Sequence, residues 1–554
     1  MSLQSWVFSR IAKLGKPLSR KVLIEPGLRI PMRDGVTTLA TRYAPPAGDG
    51  LPVVLIRTPY GQPSEKPYAE IFASRGYQVI VHSCRGRFGS EGEWLPFQTD
   101  REDGLDTIEW IREQPWYGGK IGMYGPSYLG FVQWAVAGER PEGLVALALQ
   151  VTASNPRRMV YPGGAFSLRT MLAWTYLVGK QGDGVSDVRI GLGRAFALRR
   201  GYRKLPLRDG DREILGHHFP FYQGLVGAED PRAELWSRMD CSRNVQAVTA
   251  ATHTLTGWYD IFLLGALDDY RALREAGKGP ELVIGPWGHS SLGSLGPTLR
   301  ESLRHFETHL RDEGASEKRL PVRIYVMGAD EWLAITEWPP PTTATLLYLQ
   351  PGRGLHANEP HEDSPPDRYR YNPADPTPDV GGTSDPKPGS KNNRSRERRP
   401  DVVTYTTQPL QQDLEVVGSA VVKLWFRSSL EFTDVFCRLC DVRPNGKSTN
   451  VCDGITRLTP EDTQRSPDDT HPVTVELWPT AHRFKAGHRI RLQVSSGAHP
   501  RFARNSGTGE PLGTAKELLP AEQEIYLGRI HPSVLILPVH HRSSRGQDAS
   551  GNRP

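Results

Sequence analysis

Three residues of this chain have the types and order that nucleophilic hydrolysis requires: Ser127, Asp260 and His289. A serine hydroxyl is a weak nucleophile at neutral pH. It needs a base within hydrogen-bond reach, a group orienting the base, and donors for the developing oxyanion. Ser127 lies in Gly-Pro-Ser-Tyr-Leu-Gly, between the apolar run KIGMYG and the amphipathic run SYLGFVQWAVAGER. That context predicts a strand, a sharp turn and a helix, with the serine on the turn. The strict pattern G-x-S-x-G is not met, because Leu129 takes the second glycine position and the glycine follows at Gly130. Alone, the motif fits a helix-capping serine as well. Asp260 ends the strand-like THTLTGWYD, and His289 follows the strand-like ELVIGPWG. Of the sixteen histidines, His289 combines this chain order with a glycine-flanked loop after a strand. His82 also ends a strand but precedes the serine, and a hydrogen-bonded structural role is simpler. The first oxyanion donor is expected from the Tyr128 N–H. The second should come from the loop RTPYGQ, as a backbone N–H or the Tyr60 hydroxyl, with Tyr60 as a packing residue the alternative.

The elements that must position these groups alternate. LPVVLIR, YQVIVHS, KIGMYG and LVALALQVT read as strands, with helical patterns between them, over residues 50 to 150. The alternation resumes near residue 250, which predicts a parallel sheet with helices on its faces. Residues 152 to 245 carry AFSLRTMLAWTYLVG and RIGLGRAFALRRGY, predicting a helical insertion over one end of the sheet. Beyond about residue 340 short β-rich runs such as TATLLYLQ, DVFCRLCDV and SVLILPV replace the helices, predicting a β-sandwich or jelly roll. The expected domains are 20–150 with 246–340, a helical cap at 151–245, a β domain at 341–540 and a disordered tail at 541–554. Residues 373–400, rich in Pro, Gly and charge, read as a long mobile loop, with Arg394, Arg396, Arg398 and Arg399 solvated. MSLQSWVFSRIAKLG at the start reads as a short amphipathic helix docked on the body rather than a secretory signal.

Composition narrows the classes. Hydrophobic residues make up 38% and charged residues 23% of 554, compatible with globular protein. The net charge of +6 is small for this length and does not suggest a nucleic-acid partner. Five cysteines, Cys84, Cys241, Cys437, Cys440 and Cys452, form no disulfide framework. Cys437 and Cys440 lie three apart on a strand, facing opposite sides, and are expected as buried thiols rather than a zinc pair. Together these features suggest a reducing, cytoplasmic location.

The blocks RTPYG, CRGRFGSEGEW, DTIEWIREQPWYGGKIGMYGPSYLG, TGWYD, GPWGH, YVMGADEW and LQVSSGAHPRFARNSGTG give the chain a closer likeness. In that order it resembles the cocaine-esterase-like (CocE/NonD) hydrolases, relatives of Xaa-Pro dipeptidyl-peptidases and α-amino-acid ester hydrolases, from about residue 25 to 540. The resemblance implies an α/β hydrolase fold with a helical cap insertion and a C-terminal jelly-roll domain. It implies Ser127 as nucleophile, His289 as base, Asp260 as orienting carboxylate, and Tyr60 and Tyr128 as oxyanion donors. Trp174 and Phe262 resemble acyl-pocket aromatics of the family. Two positions depart from its pattern. Ile261 stands where glycine often follows the aspartate, and the loop after Gly381-Gly382-Thr383 is charged and Pro-rich.

The expected activity is a serine esterase or related acyl hydrolase acting through an acyl-enzyme, without metal or organic cofactor. An Xaa-Pro dipeptidyl-peptidase or α-amino-acid ester hydrolase is the rival. Such enzymes must pair a substrate ammonium with carboxylates, and no acidic cluster adjoins a catalytic block. Asp268 and Asp269 are expected to face solvent. A non-catalytic jelly-roll binding protein is the rival from another class. The expected partner is a small-molecule ester or amide. Neither nucleic acid nor membrane is expected, and a homodimer is left open.

Overall fold

A computed structural model describes residues 1–182, 184, 187–312, 319–384, 387–462 and 469–542. Two β-rich bodies divide the chain. The first is a ten-stranded sheet formed by β1 (Leu23–Pro31), β2 (Thr37–Ala44), β3 (Val53–Thr58), β4 (Gln78–Ser83), β5 (Ile121–Pro126), β6 (Leu144–Gln150), β7 (Ala251–Tyr259), β8 (Glu281–Gly288), β9 (Val322–Val326) and β10 (Glu331–Ile335). Its order is β1-β2-β4-β3-β5-β6-β7-β8-β9-β10. The run from β4 and β3 through β9 is parallel, and the two edges are antiparallel. β3 and β4 are buried at every position, as a sheet covered on both faces requires.

Helix α1 (Leu3–Ile11) precedes the sheet, and α2 (Gln62–Ala73), α3 (Asp100–Arg112) and α4 (Tyr128–Ala137) link its first strands. α1 docks through Ser5, which donates to Glu70, and through Phe8 against Tyr68. Leu3, Trp6, Val7 and Ile11 stay exposed, so it docks by the side that carries Ser5 and Phe8 and leaves these four apolar side chains outward. Six helices lie between β6 and β7: α5 (Arg157–Val160), α6 (Leu168–Gly182), α7 (Asp187–Gly201), α8 (Gly210–Leu215), α9 (Pro220–Gly227) and α10 (Glu234–Met239). α11 (Leu263–Glu275) and α12 (Leu295–Leu310) complete the helical layers.

The second body, from Thr343 to Val539, is a β domain whose strands pair almost entirely antiparallel, with its own apolar core around Val403, Phe426, Leu439 and Leu492. Cys437 and Cys440 are buried in one of its strands, where burial pushes both thiols up, Cys440 to about 12.

Two expectations are corrected here. The described residues of the 373–400 segment, 373–384 and 387–400, form a strap fixed to the β domain. Gly382 and Gly389 bridge to each other, and Asn450 accepts from Lys391 N at 2.8 Å and donates to Gly389 O at 3.1 Å. Arg396 is not solvated but 1% exposed, donating to Gln493 at 3.2 Å and to Ser495 and Gly497 O at 2.8 and 3.0 Å. The inward-turned guanidinium of Arg396 thus finds partners, which is what burial of a charge demands. Asp269 is likewise buried, because α11 turns it to the face shared with Gly265, Ala266 and Leu273, where Ser154 N donates to it at 2.8 Å. Of the tail at 541–554, residues 543–554 lie outside the described residues. Arg542 is held by Glu415 at 2.8 Å and Glu331 at 2.6 Å.

Candidate active site

Ser127 sits between β5 and α4 with φ 57° and ψ −120°, a left-handed backbone that non-glycine residues rarely adopt. The turn is held by Ser127 N donating to Gln150 O at 2.9 Å on β6. Its own carbonyl starts α4 by accepting from the N–H groups of Gly130 and Phe131 at 2.9 and 3.0 Å. Both glycines of the motif are required by close approach. A Cβ on Gly125, whose φ is 155°, would stand 2.3 Å from Leu129 Cβ, and one on Gly130 would stand 2.4 Å from Thr152 Cγ2. The buried Leu129 therefore fills the space above Gly125, and the second glycine is needed where α4 crosses Thr152.

β7 and β8 deliver the other two groups to the same end of the sheet. Asp260 is fully buried; its Oδ2 accepts from the Thr256 hydroxyl at 2.8 Å, and its Oδ1 lies 2.8 Å from His289 Nδ1. His289 Nε2 is 3.1 Å from Ser127 Oγ. With Nδ1–H donating to Asp260, Nε2 is left to accept the serine proton.

Tyr60 follows β3. Its hydroxyl accepts from Trp174 Nε1 at 3.0 Å, and burial pushes the phenol up to about 12, so it is a neutral O–H near neutral pH. The Tyr128 N–H begins α4, where no earlier helical carbonyl can engage it. The Tyr128 hydroxyl points elsewhere. It donates to Asp100 at 2.6 Å and accepts from Phe97 N at 3.0 Å and Trp94 Nε1 at 3.2 Å. That anchor, with buried Arg57 donating to Asp100 O at 2.6 Å, pins the first turn of α4. His82 is buried away from it, bonded to Thr38 at 2.8 Å and to Arg57 at 3.3 Å.

The cap closes a cavity of about 290 Å³ over these groups. Trp174 on α6 stacks with Tyr128, ring centroids 6.4 Å apart, and meets Phe221 of α9 edge-on at 5.4 Å. Phe262 lies 5.5 Å from the His289 ring. Trp174, Phe262 and Ile261 all line the cavity, so Ile261 supplies a branched wall in place of open space. Phe97, Phe221, Arg169 and Arg194 line it too and were missed by sequence reasoning. Among the described residues no cluster of His, Cys, Asp and Glu could hold a metal ion, and no helix is long and apolar enough to cross a membrane.

A parallel sheet with its serine turn, its aspartate and histidine at successive strand ends and a helical cap defines an α/β hydrolase. Residues 34–291 match the X-Pro dipeptidyl-peptidase family (S15), and residues 314–536 match the X-Pro dipeptidyl-peptidase C-terminal non-catalytic domain. The cocaine esterase of Rhodococcus sp. (strain MB1 Bresler) is 32% identical over 93% of this chain and 98% of its own. The chain belongs to the cocaine-esterase-like family of serine hydrolases, relatives of the S15 peptidases, which cleave ester or peptide bonds. An α-amino-acid ester hydrolase superposes with TM-score 0.80 at 24% identity, over 95% of this chain and 98% of its own. An aminopeptidase from a Thaumarchaeota archaeon superposes with TM-score 0.78 at 21% identity, with the same coverage. Both share the fold.

Proposed function

We propose that the protein is a carboxylic-ester hydrolase acting through an acyl-enzyme on Ser127. The hydrogen-bonded line from Ser127 Oγ through His289 to Asp260, at 3.1 and 2.8 Å, carries this assignment. As Ser127 Oγ attacks the carbonyl carbon, its proton passes to His289 Nε2. Asp260 holds the ring in the accepting tautomer and stabilises the imidazolium. The oxyanion is met by the Tyr128 N–H and the Tyr60 hydroxyl, whose lone pair already accepts from Trp174 while its proton stays available. His289 then protonates the departing alcohol. Water, deprotonated by the same imidazole, attacks the acyl-enzyme and releases the acid. Trp174 and Phe262 act as walls for the substrate.

An ester is favoured over an N-terminal dipeptide or α-amino ester by the lining of the cavity. An ammonium group needs a carboxylate to replace its hydration. Among the described residues that line this cavity, the charged side chains are Arg169 and Arg194, and no Asp or Glu is included. A fluorophosphonate probe should label Ser127 and leave S127A unlabelled. Folded protein that fails to label would refute the assignment.

A further inference from the structure

The two guanidinium groups in the cavity wall are an unusual lining for a pocket otherwise built from Trp174, Phe221, Phe262 and other apolar side chains. Arg169 lies in the first turn of α6, with its backbone N–H bonded to Pro500 O at 2.9 Å. Its Nε is buried and makes no hydrogen bond, and among the described residues its carboxylate contact is Asp379 at 3.5 Å. Asp379 is itself shared, since it accepts from Ser384 and lies 3.9 Å from the buried Arg438. Arg438 and Arg501 in turn divide the single carboxylate of Asp453, at 2.8 and 2.5 Å. Three guanidinium groups thus share two carboxylates behind this wall. Arg194, on α7, has no carboxylate partner among the described residues. The remaining carboxylate of the site, Asp260, is committed to His289 and Thr256. Behind Trp94, the buried Arg87 adds another cation whose hydrogen bonds go to neutral oxygens of Pro59, Val178 and Gln181.

A cation facing a low-dielectric cavity without a full counter-charge is costly unless a ligand brings one. We propose that the cavity accepts esters bearing a carboxylate remote from the scissile bond, such as half-esters of dicarboxylic acids, with that carboxylate held by Arg194 and Arg169. This rests on the esterase assignment of the same site. The apolar wall takes the carbon chain, Ser127 meets the ester carbonyl, and the guanidinium fork meets the free carboxylate, the geometry for which arginine is suited. The same pair repels a substrate ammonium.

The test compares matched esters on the purified full chain, with spontaneous hydrolysis subtracted. One pair is 4-nitrophenyl hydrogen adipate and its neutral methyl ester, with the charge on the acyl side. The other is 4-carboxyphenyl acetate and phenyl acetate, with the charge on the leaving group. The expected result is a higher kcat/KM for the anionic member of at least one pair, by about 10- to 100-fold as for charge-assisted hydrogen bonds, falling with added salt. Arg194→Gln should collapse that ratio by a similar factor, and Arg194→Lys should keep part of it. A purely structural role would lower both members alike, leaving the ratio in place. A neutral preference in both pairs, or a ratio untouched by Arg194→Gln and Arg169→Gln, overturns the proposal while Ser127 still labels with fluorophosphonate. Loss of labelling in the wild-type protein would instead overturn the esterase assignment, and the proposal with it.

Discussion

Replacing Tyr60 by Phe removes one oxygen whose two functions can be read separately. The hydroxyl accepts from Trp174 Nε1 at 3.0 Å, so its proton is free to point into the cavity. The hole assigned here has two donors, and loss of one such donor costs about 10²–10³ in kcat, or ~2.7–4 kcal/mol of transition-state stabilisation. The same change strands the Trp174 N–H, whose half-buried position predicts a stability loss toward the low end of about 1–3 kcal/mol. Tyr60→Phe should therefore lower kcat for a neutral 4-nitrophenyl ester by at least about 100-fold, with a modest fall in Tm. Trp174→Phe deletes the same hydrogen bond from the other side but keeps the hydroxyl. It should lower Tm comparably and raise KM, with a much smaller fall in kcat. Stopped-flow measurement of acylation isolates the affected step. A Tyr60→Phe enzyme within about threefold of wild type in acylation rate would refute the oxyanion assignment, since that is far below one donor's worth. Equal kcat losses in the two variants would show that Tyr60 acts only by holding Trp174.

Gly125→Ala brings its Cβ within 2.3 Å of Leu129 Cβ at a φ of 155°. Overpacking and backbone strain each cost about 1–3 kcal/mol, so calorimetry should show a lowered unfolding transition. An unchanged transition would contradict the packing described. Asp269 is held up at about 7 by burial, so between the unfolded value and that pH the folded chain retains a proton that the unfolded chain has lost. Its contribution to stability falls as pH rises through this window. The Tm of Asp269→Asn should gain on that of wild type from pH 4.5 to 8. A difference that stays constant with pH would refute the linkage.

The sequence made the site legible where the signal was local. An apolar strand that stops at Asp260, another that stops before His289, and a glycine-bounded serine each carry their position within a dozen residues. Trp174 and Phe262 were within reach only through family likeness, because an aromatic at helical spacing looks the same in a core as in a pocket. Arg169, Arg194 and Phe221 belong to cap helices whose shared cavity arises from tertiary packing, and nothing in their neighbourhoods marks them. Asp269 was misjudged although its spacing from Gly265 and Leu273 puts it on the buried face of α11. The strap was misjudged because composition weighs Pro, Gly and charge as solvent-seeking. It cannot register that Gln493, Ser495 and Gly497, far along the chain, supply the partners that let Arg396 go inside.

That strap reaches further than its own domain. Pro388 lies against Gly288, the residue before His289, so closely that a Cβ there would fall 2.4 Å from the proline ring. The part of the chain that matches a domain called non-catalytic thus forms one side of the mould around the histidine loop. Recombination between relatives at the boundary near residue 340 would not exchange a neutral appendage. Each chimaera would inherit a piece of its active-site boundary from the C-terminal parent, so substrate preference in this family should descend through both halves of the chain.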